Sequence, residues 1–292
     1  MIAILQAVVN GLLAGAALAV PAIAFTTIFA VLRFANFAVA GFATLGAYGG
    51  WVANTALGVP AVPALAGACL AGGAVAVVVD DTALRGLRRR LRPGEAALAP
   101  AIASVAATLL LENVARFLFG NDPRGYNLPV YRDWHLGALA VGPQQLADAA
   151  IALVAMAALF LFLGFTRAGR TMRAVADNPG LAALKGIDAA RVGRIATFAA
   201  GALAGLGGML IGFDTSLDPL LGFRVMLSVF AAAVVGGLGS IPGAVAGAFV
   251  VGVGEEMATL VFDPAYRTAV GFAAILVVLS LRPAGLFGVR GA

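Results

Sequence analysis

The chain's 292 residues are 62% hydrophobic and only 11% charged, against about 25% charged in a soluble domain, which excludes a water-soluble enzyme with an ordinary polar surface. The net charge of +5 does not indicate nucleic acid, because the arginines are dealt out among apolar blocks and form no aromatic-studded basic face. A single cysteine, Cys69, and a single histidine, His135, leave no disulfide framework and no Cys/His metal site; Cys69, set among Ala, Gly and Leu, reads as an inert core residue.

About 20 apolar residues in a helix cross the hydrocarbon core of a bilayer. Residues 1–32 hold no charged side chain and lack the basic start of a cleaved signal peptide, so 5–32 reads as a retained first span. Apolar blocks of similar length follow at 37–56, 60–80, 96–119, 144–165, 193–213, 243–262 and 268–282. A ninth, 225–236, is short and runs into Gly236-Gly237-Leu238-Gly239-Ser240-Ile241-Pro242-Gly243. Those glycines and Pro242 break a helix, and irregular backbone at membrane depth survives only inside protein or beside a watery cavity. Residues 225–243 are therefore a broken or re-entrant span or a tight turn at one face. The fold class is all-α, a polytopic transmembrane bundle of eight or nine spans forming a single domain over 1–292.

Fourteen of the 19 basic residues fall in 33, 85–92, 166–194 and 282–292. Basic connections stay in the cytosol, which places the N-terminus outside, the C-terminus inside and the 166–194 connection in the cytoplasm. Every tyrosine and tryptophan (Tyr48, Trp51, Tyr126, Tyr131, Trp134, Tyr266) falls at or beyond an outer end, where such rings favour the interface. The arginines of 85–92 read as a topological anchor. Asp80 and Asp81 are expected to be solvated beside Arg85. Glycine pairs at spacing four (Gly11/Gly15, Gly201/Gly205, Gly243/Gly247) permit close helix approach in lipid, or reflect only an alanine- and glycine-rich composition.

Ionisable groups inside spans are functional candidates. Glu112 lies one helical turn from Arg116 and is expected to pair with it. Glu255 and Glu256, in the outer half of span 243–262, are expected at a solvated rim; the alternative is that one of them faces a cavity. Asn36, Thr44, Ser104, Thr108, Glu112 and Asn113 are the candidates for a translocation path, each also suited to a helix–helix hydrogen bond.

The connection 166–194 is the best-specified segment. Asn178 can cap a helix whose first residue is Pro179, where a missing N–H costs nothing. Gly186 can close it in the left-handed conformation. The result is a helix of about seven residues with Leu181 and Leu184 on one face, too short to be stable without packing. Asp188 can cap the helix that follows.

The stretch Ala174-Val175-Ala176-Asp177-Asn178-Pro179, continued by Leu184-Lys185-Gly186-Ile187-Asp188, resembles the cytoplasmic coupling loop of branched-chain amino acid ABC transporter permeases, which reside in the bacterial inner membrane. The run Ala231–Ala244, Pro264-Ala265-Tyr266-Arg267 and the ending Leu281–Gly288 resemble the same family, as do Asn10-Gly11-Leu12 and Val31–Ala38. Where the family shows His-Gly-Glu after Asn-Phe-Ala, this chain has Val39-Ala40-Gly41, and Ala16, Ala17 and Leu18 replace small polar and aromatic residues. The front third is thus stripped of polar groups, which points to a more apolar cargo if those groups touch substrate in relatives.

The resemblance implies a second related permease, two ABC ATPases gripping Asp177, Asn178, Pro179, Leu181, Leu184, Lys185 and Gly186 on the cytoplasmic face, and a periplasmic or lipid-anchored solute-binding protein outside. The chain has no Gly-Lys-Ser/Thr phosphate loop, so no cofactor is expected on it; ATP and magnesium belong to the partner subunits. The cargo implied is a branched-chain amino acid or another small amino-acid, amide or carboxylate-like solute. A stand-alone secondary transporter needs ion-coupling carboxylates at mid-span, and a membrane enzyme needs a cluster of nucleophile, base or ligands; neither pattern is visible.

Overall fold

The computed structural model describes residues 2–90, 98–129, 132–136, 139–263, 266–282 and 284–288. Arg92, Tyr131, Pro264, Ala265, Pro283 and Arg290 lie outside the described residues, as do the side chains of Arg89, Arg90 and His135. The described chain is a helical bundle: α1 (Ile2–Leu32), α2 (Val39–Trp51), α3 (Ala61–Val79), α4 (Arg85–Arg90), α5 (Leu98–Phe119), α6 (Pro143–Phe165), α7 (Arg167–Asp177), α8 (Pro179–Leu184), α9 (Ala189–Asp214), α10 (Leu221–Gly236), α11 (Ile241–Ala258) and α12 (Arg267–Leu281). One π-helical turn extends α2 over Val52–Ala56, and another joins α3 to α4 over Asp80–Leu84. A short antiparallel hairpin, Trp134–Leu136 with Leu139–Val141, is the only sheet among the described residues. Six helices, α1, α3 with its extension, α5, α6, α9 and α11, are long and apolar enough to cross a membrane. α10 and α12 are apolar but shorter.

The bundle has two chemically distinct ends. At one, Arg33 meets the carbonyl of Ala176, Arg194 bonds Asp81 at 3.1 Å, and Arg88 lies over the Phe34 ring. Asp80 is only 4% exposed and accepts two bonds from Arg88, at 2.6 and 3.0 Å. The expected solvation of Asp80 is therefore incorrect: the π-turn swings it inward, where a lone carboxylate would be costly and a bidentate guanidinium is the remedy. At the other end, Trp51 donates to Gly125, Asn54 accepts from Asn127, and Arg124 pairs backbone with Leu217. Tyr48 stacks on Phe119 at 4.2 Å and is fully buried, so it caps the core and does not sit in an interfacial belt. Tyr126 packs edge-on against Phe213 and donates to Ala47; burial pushes its hydroxyl well above the usual pKa, so it remains a neutral donor.

Glycine sets how closely the helices approach. A Cβ on Gly205 of α9 would fall 2.3 Å from the Ala68 carbonyl of α3, and one on Gly46 of α2 would fall 2.2 Å from Gly205 Cα. Gly11 and Gly15 meet α11 around Gly252, and Gly243 and Gly247 meet α10 at Gly236 and Ala232. All three spacing-four pairs thus lie at backbone-to-backbone crossings, which decides between the two readings of those glycines.

The glycine run after α10 is a turn between two packed helices. Gly237 and Gly239 adopt φ of +107° and +91°, and Ser240 caps α11 by accepting from Gly243. The C-terminal segment closes over this turn: Leu286 N–H donates to Val235 and Phe287 N–H to Gly236, both at 2.9 Å. The last carbonyls of α10, which have no partner within their own helix, are satisfied by the chain's own tail. Two separate sequence motifs meet here.

Candidate functional site

At the arginine-rich end, α7 and α8 form a bent pair. Thr166 accepts from Gly169 to start α7. Asn178 ends α7 and caps α8, its Oδ1 accepting from Leu181 at 2.9 Å. Gly186, at φ +76°, closes α8, and Asp188 caps α9 through Ala190 and Arg191. α8 is six residues long, one fewer than expected. It is anchored through Ala182, which is 4% exposed and whose carbonyl accepts from Ile187. Its apolar face is turned outward: Leu181 is 56% and Leu184 85% exposed. Water disfavours that arrangement by about 25 cal/mol per Å² of apolar surface, so two leucines held out on a doubly capped helix mark a surface awaiting cover.

Behind α8 lies a non-helical segment, 33–38, the expected connection between spans 5–32 and 37–56, extended two residues into the second. Arg33 adopts φ +59°, uncommon for a residue with a Cβ, and its guanidinium holds the Ala176 carbonyl just ahead of the α8 cap. Phe37 packs against Phe25 and Phe230. α5 clasps the backbone of the same residue: Ser104 Oγ accepts from Phe37 N–H at 2.9 Å, and Thr108 donates to Phe37 C=O at 2.9 Å. Asn36 is fully buried, with Oδ1 accepting from Ala38 N–H and Nδ2 unpartnered. Thr44, a little further along α2, accepts from Gly222 N–H at the start of α10.

Three of the six path candidates, Asn36, Ser104 and Thr108, thus meet around the backbone of 36–38, while Thr44, also buried, lies further along α2 against α10. Their hydrogen bonds are to backbone. Glu112 lies one turn above Thr108, only 3% exposed, with Oε1 unpartnered. The expected ion pair with Arg116 does not form; the helical spacing allows it, but Glu112 turns into the bundle. Asn113 is on the other face, exposed and bonded to the Leu109 carbonyl of its own helix. We expect Thr108→Val to lower the melting temperature in detergent by about 2–4 °C, one interhelical hydrogen bond being worth about 1 kcal/mol; an unchanged melting curve contradicts the clasp.

At the opposite end, a part-open cavity of about 400 Å³ lies between α1, α9, α10, α11 and α12. Glu255 lines it and is 8% exposed, which is the cavity-facing alternative and not the favoured solvated rim. Burial forces it to find partners: Ser228 Oγ donates to it at 2.5 Å, and Arg267 Nε lies 3.7 Å away. Glu256 also pairs with Arg267. This cavity left no local signal in the sequence, because its walls come from separate helices. Among the described residues there is no group of three or more His, Cys, Asp or Glu side chains able to hold a metal ion.

A bundle of long apolar helices, with charged connections at one end and a part-open cavity at the other, is the architecture of a polytopic membrane protein. Residues 7–279 match the family described as the permease component of the branched-chain amino acid transport system, and the chain belongs to that family. It is 28% identical over 295 residues to the high-affinity branched-chain amino acid transport system permease protein BraD of Pseudomonas aeruginosa, covering 97% of this chain and 95% of that one. It is also 28% identical over 298 residues to the corresponding protein LivH of Escherichia coli K12, with the same coverage. Among solved structures, PsaBC from Streptococcus pneumoniae in complex with Fab superposes with a TM-score of 0.51 at 14% identity, covering 95% of this chain and 92% of that one; this is a likeness of fold.

Proposed function

We propose that the chain is a transmembrane subunit of an ATP-driven importer in the bacterial inner membrane, carrying branched-chain amino acids or a related small amino-acid, amide or carboxylate solute. The observation that carries this reading is the doubly capped α8, with Leu181 and Leu184 exposed at the arginine-rich end. That end is cytoplasmic by the distribution of basic residues, and α8 is the point where an ABC ATPase grips the subunit. ATP and magnesium are bound by two such ATPases. A second related permease completes the pore, and an external solute-binding protein delivers cargo. α2 with its π-turn, α10 and α12 then cross alongside the six longer helices, giving nine spans with the N-terminus outside and the C-terminus inside.

The test is reconstitution with the ATPases and second permease, followed by uptake of radiolabelled leucine, isoleucine and valine. The reading expects uptake only with ATP and the full set of subunits. Uptake by this chain alone, driven by a sodium or proton gradient, contradicts it. Arg33 supplies a narrower prediction. Because its guanidinium ties the α7 terminus to the segment clasped by α5, Arg33→Ala should leave the ATPases bound but cut ATP-driven uptake about tenfold, equivalent to about 1.4 kcal/mol of lost coupling. Wild-type uptake by that variant would remove Arg33 from the route.

A further inference from the structure

The cavity at the end away from the arginine-rich connections has two walls of opposite character. One is polar: Ser228 and Glu255 face it from α10 and α11, and Arg267 from the start of α12. Asp214 and Arg224 extend that wall with one more charge of each sign. The other wall, from α1 and one side of α10, presents Leu13, Ala14, Ala17, Leu18 and Val225, with Asn10 the one polar side chain of α1 that lines the cavity. The volume of about 400 Å³ falls within the range of about 300–1,000 Å³ found for small-molecule sites.

A buried carboxylate that served packing alone would be enclosed by its partners. Glu255 is instead 8% exposed and still borders open space. The polar wall offers both carboxylates and guanidinium groups. Arg267 already pairs with Glu255 and Glu256, and Arg224 with Asp218, so a solute of one charge sign would compete for one partner and unbalance the other, whereas a head group carrying both signs can join both sets without leaving a net charge. The aliphatic side chains of the other wall make no hydrogen bonds and accommodate hydrocarbon.

We propose that this cavity is a solute-holding site within a single subunit, taking a small zwitterion with an aliphatic tail: its ammonium toward Glu255 and Asp214, its carboxylate toward Arg267 and Arg224, and its tail on Ala14, Ala17, Leu18 and Val225. The proposal rests on the importer reading for its side of the membrane and for its role. It adds a location for the cargo and a division of labour, with α9–α12 reading the head group and α1, with Val225 of α10, the tail. Ala17 and Leu18 then limit tail size, and both fall in the stretch of α1 that is stripped of polar groups.

The test uses the full chain in intact cells, with Cys69→Ala and a reporter thiol from Val225→Cys, labelled by a membrane-impermeant maleimide. Three probes separate the chemistry: leucine, leucinamide and 4-methylpentanoate. The proposal expects labelling from outside that is slowed several-fold by millimolar leucine and by neither single-charge analogue. Adding Arg267→Gln should abolish the protection. Labelling equally slowed by all three probes, or indifferent to leucine at tens of millimolar, overturns the proposal. Co-purification of the ATPases is scored in the same cells. No protection by leucine in the chain that retains Arg267, with the ATPases still bound, refutes the cavity site alone, while absence of bound ATPases with protection intact refutes the importer reading and leaves the site standing.

Discussion

Replacing Leu184 with aspartate should leave the subunit in the membrane at normal abundance and abolish its association with the ATPases. Leu184 is 85% exposed, so the change creates no cavity and buries no charge within the chain. α8 keeps both its caps, because Asn178 bonds Leu181 through the backbone amide and Gly186 is untouched. What changes is the free energy of the covered state. A leucine at the centre of a desolvated contact is worth about 2 kcal/mol or more, and a carboxylate in its place adds a desolvation penalty. The expected outcome is at least a 30-fold loss of ATPase affinity, with ATP-driven leucine uptake near background. Co-purification from detergent, with the melting temperature as a folding control, reads the result. Normal ATPase binding by this variant removes α8 from the interface.

The second large effect is on the fold. Gly46→Val should destabilise the subunit by about 3 kcal/mol or more, at the upper end of what overpacking costs. The Cβ alone would lie 2.2 Å from Gly205 Cα and 3.0 Å from the Ala68 carbonyl, and both neighbours are backbone. No rotamer relieves that contact; α2, α3 and α9 must separate, and their buried surfaces with them. Sharply reduced yield of folded protein, or a melting temperature lower by about 10 °C, is expected. Gly164→Ala in α6 is the matched control, since a Cβ there meets nothing within 4 Å. It should be neutral. Equal behaviour of the two variants contradicts the close-crossing account.

What the sequence disclosed follows from the range of the interactions involved. The caps of α8 and α9 were legible because Asn178, Pro179, Gly186 and Asp188 act on amides and dihedrals within three residues of themselves. The close helix crossings were half legible: spacing-four glycines signal approach but not the partner, and nothing in Gly201–Gly205 points to α3. The break at 33–38 was legible, because Arg33 separates two apolar blocks, but what holds it was hidden: Ser104 and Thr108, 67 and 71 residues from Phe37, clasp its backbone. Glu255 was half legible: the sequence allowed one of the Glu255/Glu256 pair to face a cavity but favoured a rim. Near the end of an apolar block it reads as a rim residue, and only the packing of α10 against α11 brings Ser228 to it. The tail motif Ala284–Gly288 and the turn motif Gly236–Gly239 were each conspicuous, but their meeting is tertiary.

The account depends on which side of the membrane holds α8. A single cysteine introduced by Gly180→Cys, in a Cys69→Ala background, reports it directly, since position 180 is exposed and a side chain there meets only the Asn178 side chain, at 3.4 Å. A membrane-impermeant maleimide should fail to label this thiol in intact cells and label it readily in inside-out vesicles. Labelling in intact cells would put the helix outside, beyond the reach of any cytosolic ATPase, and contradict the proposed coupling.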